Sequence, residues 1–398
     1  MADPWLHVVG IGEDGWDGLA PPARAALEKA EVIVGGRRHH DLAPHLTAER
    51  VTWPSPFRAM VEEIASFRGR PTAVLVTGDP LWFSAGAFFA RSFPTEELCY
   101  HPQISAFQLA CARMQWSLAD VETLTVHGRP AEQAIPAFAP GARLVILTQD
   151  GTSPATLAGH LDRLGYGPSR LTVLASLGGP DETRIDGTAS TWTGDAPDFH
   201  TLCIECAVAP GYRPLPRTNM PDDAFVHDGK LTKREVRAVT LARLQPARGA
   251  LLWDIGTGSG AVAIEWMRAA PDARAIGLDP NAERRAMAAR NATALGAPRL
   301  ELVDAAAPEG LADLSAPDAI FIGGGLSVEV ADRCLTALRP QGRLVANAVT
   351  LESEALLTAL HGTHGGDLTR LSVGRADPVG RYRGWRQAMP VTQWVFER

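Results

Sequence analysis

The chain has 398 residues, against ~100–200 for one domain, so more than one domain is expected. Hydrophobic residues make up 45% and charged residues 21%, the balance of a folded protein and not of a disordered one. Lys and Arg total 38 against 45 Asp and Glu, a net charge of −7, which argues against nucleic acid as a partner. No apolar run approaches the ~20 residues that cross a bilayer, so no membrane partner is expected. Met1-Ala2-Asp3-Pro4-Trp5 lacks the basic region and apolar stretch of a signal peptide. The 5 cysteines are few and odd in number, which suits a reducing compartment and predicts a cytoplasmic protein.

In chain order, Leu6 to Gly12 reads as a buried strand running into glycine, and Pro21 to Ala30 as a helix with proline at its start. Strands are predicted at 32–36 and 73–77, the second ending in Gly78-Asp79-Pro80, with a helix over 81–90 after it. Further strands are predicted at 144–147, 172–175 and 202–205, and their alternation with helices predicts parallel α/β layers. Pro210, Gly211, Pro214, Pro216 and Pro221 break the pattern, giving a first domain over 1–208, a linker over 209–221 and a second domain over 222–398. Beyond the break, strands are predicted at 251–253, 275–278, 300–303, 319–322 and 344–346, with a helix at 282–295 stopped by Gly296. The segment 391–396 alternates like a half-exposed strand. This half reads as an open, doubly wound, Rossmann-like sheet.

The most informative stretch is Asp254-Ile255-Gly256-Thr257-Gly258-Ser259-Gly260, set between a strand and a helix. Glycines let the backbone approach a ligand closely, and the helix start behind them offers free N–H groups. Asp279 ends the next strand, where an acid commonly accepts ribose hydroxyls. Asp254 before the loop suits an ammonium group, which S-adenosylmethionine carries and a dinucleotide lacks. The cofactor reading is therefore S-adenosyl-L-methionine. Asn347, Thr350 and Glu352 follow a strand end in the crevice where such sheets bind ligands, and are the candidate substrate contacts.

This loop, the stretch Leu231-Thr232-Lys233-Arg234-Glu235-Val236-Arg237, the Phe321–Gly325 strand end and Asn347–Glu352 together resemble the decarboxylating precorrin methyltransferases of cobalamin biosynthesis. The resemblance covers nearly all of 220–398. It implies Thr232, Gly256 to Gly260 and Asp279 as S-adenosylmethionine contacts. That family has Gly-Asp-Ala-Pro at the adenine, where this chain has Asp304-Ala305-Ala306-Ala307-Pro308. Either the Asp304 carboxylate or the backbone near Ala306 would hold the ring.

In the first half Gly10 and Gly12, then Gly78-Asp79-Pro80, Ser105 in Ile104–Gln108, His127-Gly128-Arg129 and Leu177-Gly178 resemble in order the tetrapyrrole methyltransferase family, whose fold has two α/β lobes around the cofactor. Where that family reads Gly-x-Gly-Pro-Gly, Gly12 is followed here by Glu13-Asp14-Gly15. Gly10, Gly12, Gly78, Asp79 and Ser105 are the implied contacts. Both halves together resemble the fused precorrin-6Y C(5,15)-methyltransferase family. That resemblance implies methylation of carbon 5 by the first half, and methylation of carbon 15 with decarboxylation of the carbon-12 acetate by the second. An electron-rich ring carbon would attack the sulfonium-bound methyl, and the enzyme would chiefly align donor and acceptor. The implied partner is a tetrapyrrole, in a homo-oligomeric enzyme.

Cys203-x-x-Cys206 lacks a second pair for zinc and reads as two buried core thiols, so no metal is expected. His39-His40 reads as a solvated loop. Arg375, Arg381, Arg383 and Arg386 could meet substrate carboxylates or form an exposed charged loop. No catalytic acid or base is evident. A rival reading makes the second half an RNA or protein methyltransferase and the first a noncatalytic binding module.

Overall fold

The computed structural model describes residues 4–54 and 59–398; Met1 to Asp3, part of the N-terminal reading above, lie outside them. The chain forms two compact units, one of residues 1–131 and 138–212, the other of 132–137 and 213–398. Both are α/β. Among the described residues no helix is long and apolar enough to cross a membrane.

The first unit holds two five-stranded sheets. In the first, β1 (Leu6–Ile11), β2 (Val32–Gly35), β3 (Glu49–Thr52), β4 (Thr72–Thr77) and β5 (Leu98–His101) are all parallel, in the order β3-β2-β4-β1-β5. Val8, Val34 and Val74 face one apolar layer, while Val9, Ile33 and Leu75 face another. Burial on both faces is why these strands read as continuous apolar runs. The second sheet takes β6 (Glu122–Thr125), β7 (Arg143–Leu147), β8 (Arg170–Ala175), β9 (Thr183–Thr188) and β10 (His200–Glu205) in the order β6-β7-β10-β8-β9. Only β6 and β7 are parallel; β10 runs antiparallel to both β7 and β8, and β8 to β9. The expectation of parallel layers throughout fails here. A short turn after Ala175 suffices to join β8 to β9, where a parallel partner would need a long crossover.

The predicted helix over 81–90 begins only at Gly86 and runs to Ser92. Asp79 Oδ1 accepts the Leu81 N–H at 2.8 Å, which closes a turn in place of the first helical residues. His39 and His40 also depart from expectation. They sit in a short helix, Arg37–Asp41, with His40 buried and its Nε2 3.1 Å from the Val51 carbonyl.

The second unit is a seven-stranded sheet. Its strands are β11 (Leu251–Ile255), β12 (Arg274–Leu278), β13 (Glu301–Val303), β14 (Ala319–Ile322), β15 (Arg343–Ala348), β16 (Asp367–Leu371) and β19 (Val391–Glu397). The order β13-β12-β11-β14-β15-β19-β16 reverses direction between β11 and β14, so a crevice opens beyond their carboxyl ends. β19 lies antiparallel between β15 and β16, and Val391 to Val395 are all buried. The half-exposed reading of this strand is therefore wrong: Trp394 and Val395 each join a different apolar layer, so both faces of the strand are covered. A separate hairpin, β17 (Gly374–Val379) with β18 (Tyr382–Gln387), carries the arginines near the C-terminus.

Residues 213–221 are packed onto the second unit. Arg217 and Arg268 exchange bonds to each other's carbonyls at 2.7 and 2.8 Å, and Met220 is fully buried among Phe225, Ile264 and Leu295.

Candidate functional site

The second unit gathers Asp254, Thr257 and Asp279 where β11 and β12 end. Gly256, Gly258 and Gly260 have φ of 73°, 54° and 78°, the left-handed region that favours glycine. A side chain on Gly256 would stand 2.9 Å from the backbone of Gly324, so the β14 end closes that side of the turn. A Cβ on Gly258 would meet nothing nearer than the Gly256 carbonyl at 3.9 Å. The turn is open there.

Two buried carboxylates fasten this loop. Asp254 Oδ2 accepts from the Thr257 hydroxyl at 3.0 Å and from the Ala263 N–H at 3.1 Å. Its full burial, with a smaller contribution from Asp279, pushes its carboxyl up to about 6. Asp279 Oδ2 accepts the Gly258 N–H at 3.1 Å and its Oδ1 accepts the Asn281 N–H at 2.9 Å. Ser259 is buried, and its carbonyl accepts from Asn291 at 2.8 Å. Asp304 pairs with Arg285 at 2.6 Å, and Arg285 also donates to the Asp279 carbonyl at 2.7 Å.

Thr232 stands before the helix Arg234–Leu244, where its carbonyl accepts from Arg237 at 2.6 Å. Arg237 and Glu265 are both fully buried and paired at 2.8 Å. Arg237 also donates to the Met220 carbonyl at 2.5 Å, and Glu265 accepts the Asn219 and Met220 N–H groups at 2.7 and 3.0 Å. This pair pins residues 219–232 to the helices Arg234–Leu244 and Ala261–Ala269. Asn347 does not point into open space. It donates to Thr240 at 3.0 Å and accepts from the buried Gln393 at 2.9 Å. Thr350 caps the helix Leu351–His364 by accepting the Ser353 N–H at 3.3 Å, with exposed Glu352 in its first turn.

In the first unit a cleft of about 930 Å³ is lined by Gly12, Gly78, Asp79 and Ser105 from the predicted set. Gly10 is forced by close approach, since a Cβ there would stand 1.9 Å from the Gly78 carbonyl. The Gly78 N–H donates to the Ile11 carbonyl at 3.1 Å, joining the two turns. Ser105 is buried, and its Oγ has no hydrogen-bond partner, a polar atom left for a ligand. Burial, with Arg38 and His40 adding to it, lowers His39 to about 4, so this cleft imidazole is neutral at pH 7. Arg38 pairs with Glu13 and donates to Thr77 at 2.6 Å.

The model of the family described as Tetrapyrrole (Corrin/Porphyrin) Methylases matches residues 5–192, and that described as Precorrin methyltransferase domain matches residues 223–398. The precorrin-6Y C(5,15)-methyltransferase (decarboxylating) of Sinorhizobium sp is 46% identical, over 100% of this chain and 97% of the relative. The chain belongs to the precorrin-6Y C(5,15)-methyltransferase family. It is a methyltransferase. Two shorter relatives each cover 45% of it. The cobalt-precorrin-7 C(5)-methyltransferase of Salmonella typhimurium is 30% identical over 88% of its own length. The probable cobalt-precorrin-6B C(15)-methyltransferase (decarboxylating) of Pyrobaculum calidifontis is 34% identical over 95% of its own length.

Sequence reasoning missed the aromatic wall of the cleft. Leu81, Trp82 and Phe83 are 52%, 37% and 44% exposed, and Phe83 holds φ at 51°. A bulky residue in the left-handed region is strained, and such strain clusters at ligand sites. No sequence signal marked these residues, since an apolar and aromatic run after Pro80 reads equally well as the start of a buried helix. Cleft-lining Arg91 was also overlooked, and Arg129, which also lines the cleft, stood in the His127-Gly128-Arg129 motif with no role assigned to it. The Arg237–Glu265 pair had no sequence signal beyond its place in the Thr232 motif. The C-terminal arginines sit on an exposed hairpin, where Arg375 is held by Glu235 at 2.5 Å and Asp222 at 3.4 Å. Cys203 and Cys206 are free and buried, and burial pushes both thiols up to about 12.

Proposed function

We propose that this chain methylates carbons 5 and 15 of precorrin-6Y, the first unit serving carbon 5 and the second carbon 15, with loss of the carbon-12 acetate carboxyl in the second. S-adenosylmethionine is the donor in both units. One observation carries this reading: each unit has its own glycine-lined turn at the carboxyl end of parallel strands. Two half-length relatives with separate C(5) and C(15) names support the same division.

The residues fit the donor. The open face of Gly258 leaves room for it, Asp279 stands ready for ribose hydroxyls, and the unpartnered Ser105 Oγ waits in the first cleft. When bound, S-adenosylmethionine supplies an electrophilic methyl group. Everything else falls to the chain. Gly256 to Gly260 shape the turn, Asp254 ties it to the helix Ala261–Ala269, and Thr232 is fixed through Arg237. Asp304 pairs with Arg285 and stays 73% exposed, so either its carboxylate or the backbone near Ala306 would hold the adenine. In the first unit, 930 Å³ lies within the ~300–1,000 Å³ of small-molecule clefts. Trp82 and Phe83 offer apolar faces to a macrocycle, and Arg91 and Arg129 offer forks to its carboxylates. Thr350 and Glu352 are the polar groups offered to the substrate in the second unit, and Asn347 acts through Thr240 and Gln393.

Mass spectrometry of precorrin-6Y incubated with the full chain and S-adenosylmethionine is the test. The expected product has gained two methyl groups and lost one carbon dioxide. A product with a single methyl gain and all carboxyls intact would refute the reading.

A further inference from the structure

β1 and β5 bring three metal-ligating side chains to one face of the first sheet. His7 lies opposite Cys99 in the parallel register, and Val9 lies opposite His101. Cys99 and His101 are two residues apart on one strand, so their side chains share a face, and the register puts His7 beside them. All three are half-buried. His7 Nδ1 stands 3.0 Å from His101 Nε2, and Cys99 Sγ stands 3.6 Å from the same nitrogen. The three donor atoms all lie within 4.8 Å of one another.

Those spacings can be compared with an ion's demands. Zinc takes nitrogen at ~2.0–2.1 Å and thiolate sulfur at ~2.3 Å, so a tetrahedral site separates its donors by roughly 3.3 Å for two nitrogens and roughly 3.6 Å for sulfur and nitrogen. The Cys99–His101 distance already matches, the nitrogen pair needs to open by only a few tenths of an ångström, and His7 lies within 4.8 Å of the Cys99 sulfur. The donor types agree as well. Two imidazoles and a thiolate suit a borderline ion such as Zn²⁺, and suit poorly the hard cations that prefer oxygen.

We propose that His7, Cys99 and His101 form a Zn²⁺-class binding site with three protein ligands and a fourth position open to water. This departs from the sequence expectation of no metal, which weighed Cys203 with Cys206 and the His39-His40 pair. The ligands come from two strands more than ninety residues apart in the chain, a spacing that no short motif displays. The three residues are not among those lining the cleft, so the site is separate from it. It would tie β5, the edge strand of the sheet, to β1.

The test uses the full chain stripped by a chelator and titrated with Co²⁺ as the probe. One Co²⁺ per chain should bind with the intense visible bands of tetrahedral coordination and a near-ultraviolet thiolate charge-transfer band, both erased by added Zn²⁺. Zn²⁺ at a hundredfold excess over its dissociation constant should raise the melting temperature of the first unit by roughly 5–10 °C. Cys99→Ser should abolish the charge-transfer band, and His101→Gln should weaken Co²⁺ binding at least tenfold, with the circular dichroism of both metal-free variants unchanged. The proposal falls if Co²⁺ gives only the pale spectrum of six-coordination. It falls equally if the charge-transfer band survives Cys99→Ser, since the ion would then sit on another thiol. A simple His7–His101 hydrogen bond predicts no metal-dependent shift at all.

Discussion

Asp254 is the residue whose environment is most at odds with its charge. Its carboxyl is fully buried and pushed up to about 6 from the ordinary 3.8, first by burial and then in small part by Asp279. The sign follows from which state binds the proton more tightly. The folded chain holds this proton up to about pH 6 while the unfolded chain releases it near pH 4, so Asp254 costs stability as pH rises through that window. A ligand bearing an ammonium group reverses the preference, because it favours the ionised carboxylate. S-adenosylmethionine affinity at the second unit should therefore climb from pH 5 to pH 7, by at most ~tenfold per pH unit. Asp254→Asn should flatten that climb. Calorimetric titration across the range checks it, and a flat profile in the unaltered chain would leave Asp254 the single task of holding Thr257 and the Ala263 N–H.

Among the elements, the strands that were legible in the sequence are those buried on both faces. β1, β4, β11, β12 and β14 are apolar along most of their length, and burial demands that composition. The overlooked strands lie mostly at edges. Glu49–Thr52, Glu122–Thr125 and Thr183–Thr188 end their sheets and have no fully buried residue, so neither an apolar run nor a clean alternation marks them. The glycine loop and its two acids were legible because backbone geometry restricts which residues can stand there. The Arg237–Glu265 pair was not, because its members lie 28 residues apart and each reads as an ordinary polar position on a helix. Its energetic weight is testable. Removing one partner of a buried pair strands the other charge, at a cost of ~3–5 kcal/mol. Arg237→Leu should lower second-unit stability by about that amount in urea denaturation, and Arg237→Leu with Glu265→Leu should recover part of it. A single variant within ~0.5 kcal/mol of the parent would show that the pair does not anchor residues 219–232.

At the scale of the whole chain, the fusion is useful only if each unit can fold and act from its own turn. Proline spacing starts the second domain at 222, but the contacts of Arg217 and the burial of Met220 argue for a fragment that begins at Arg213. That fragment keeps the Arg217–Arg268 exchange and the Glu265 contacts, so it should be soluble and unfold in one cooperative transition. Supplied with a carbon-5-methylated precursor, it should add one methyl and release one carbon dioxide. Within the full chain, a side chain at Gly258 separates the two reactions. The position has φ of 54° and open space in front, so asparagine, which tolerates the left-handed region, should fold while filling the face left for the donor. Gly258→Asn should lower carbon-15 methylation and decarboxylation together by a hundredfold or more, about 2.7 kcal/mol. Carbon-5 methylation should continue at its former rate, because none of the residues lining its cleft belongs to the second unit. Mass spectrometry of the products reads both outcomes in one sample. Should the variant lose carbon-5 methylation and still release carbon dioxide, the two reactions belong to the opposite units.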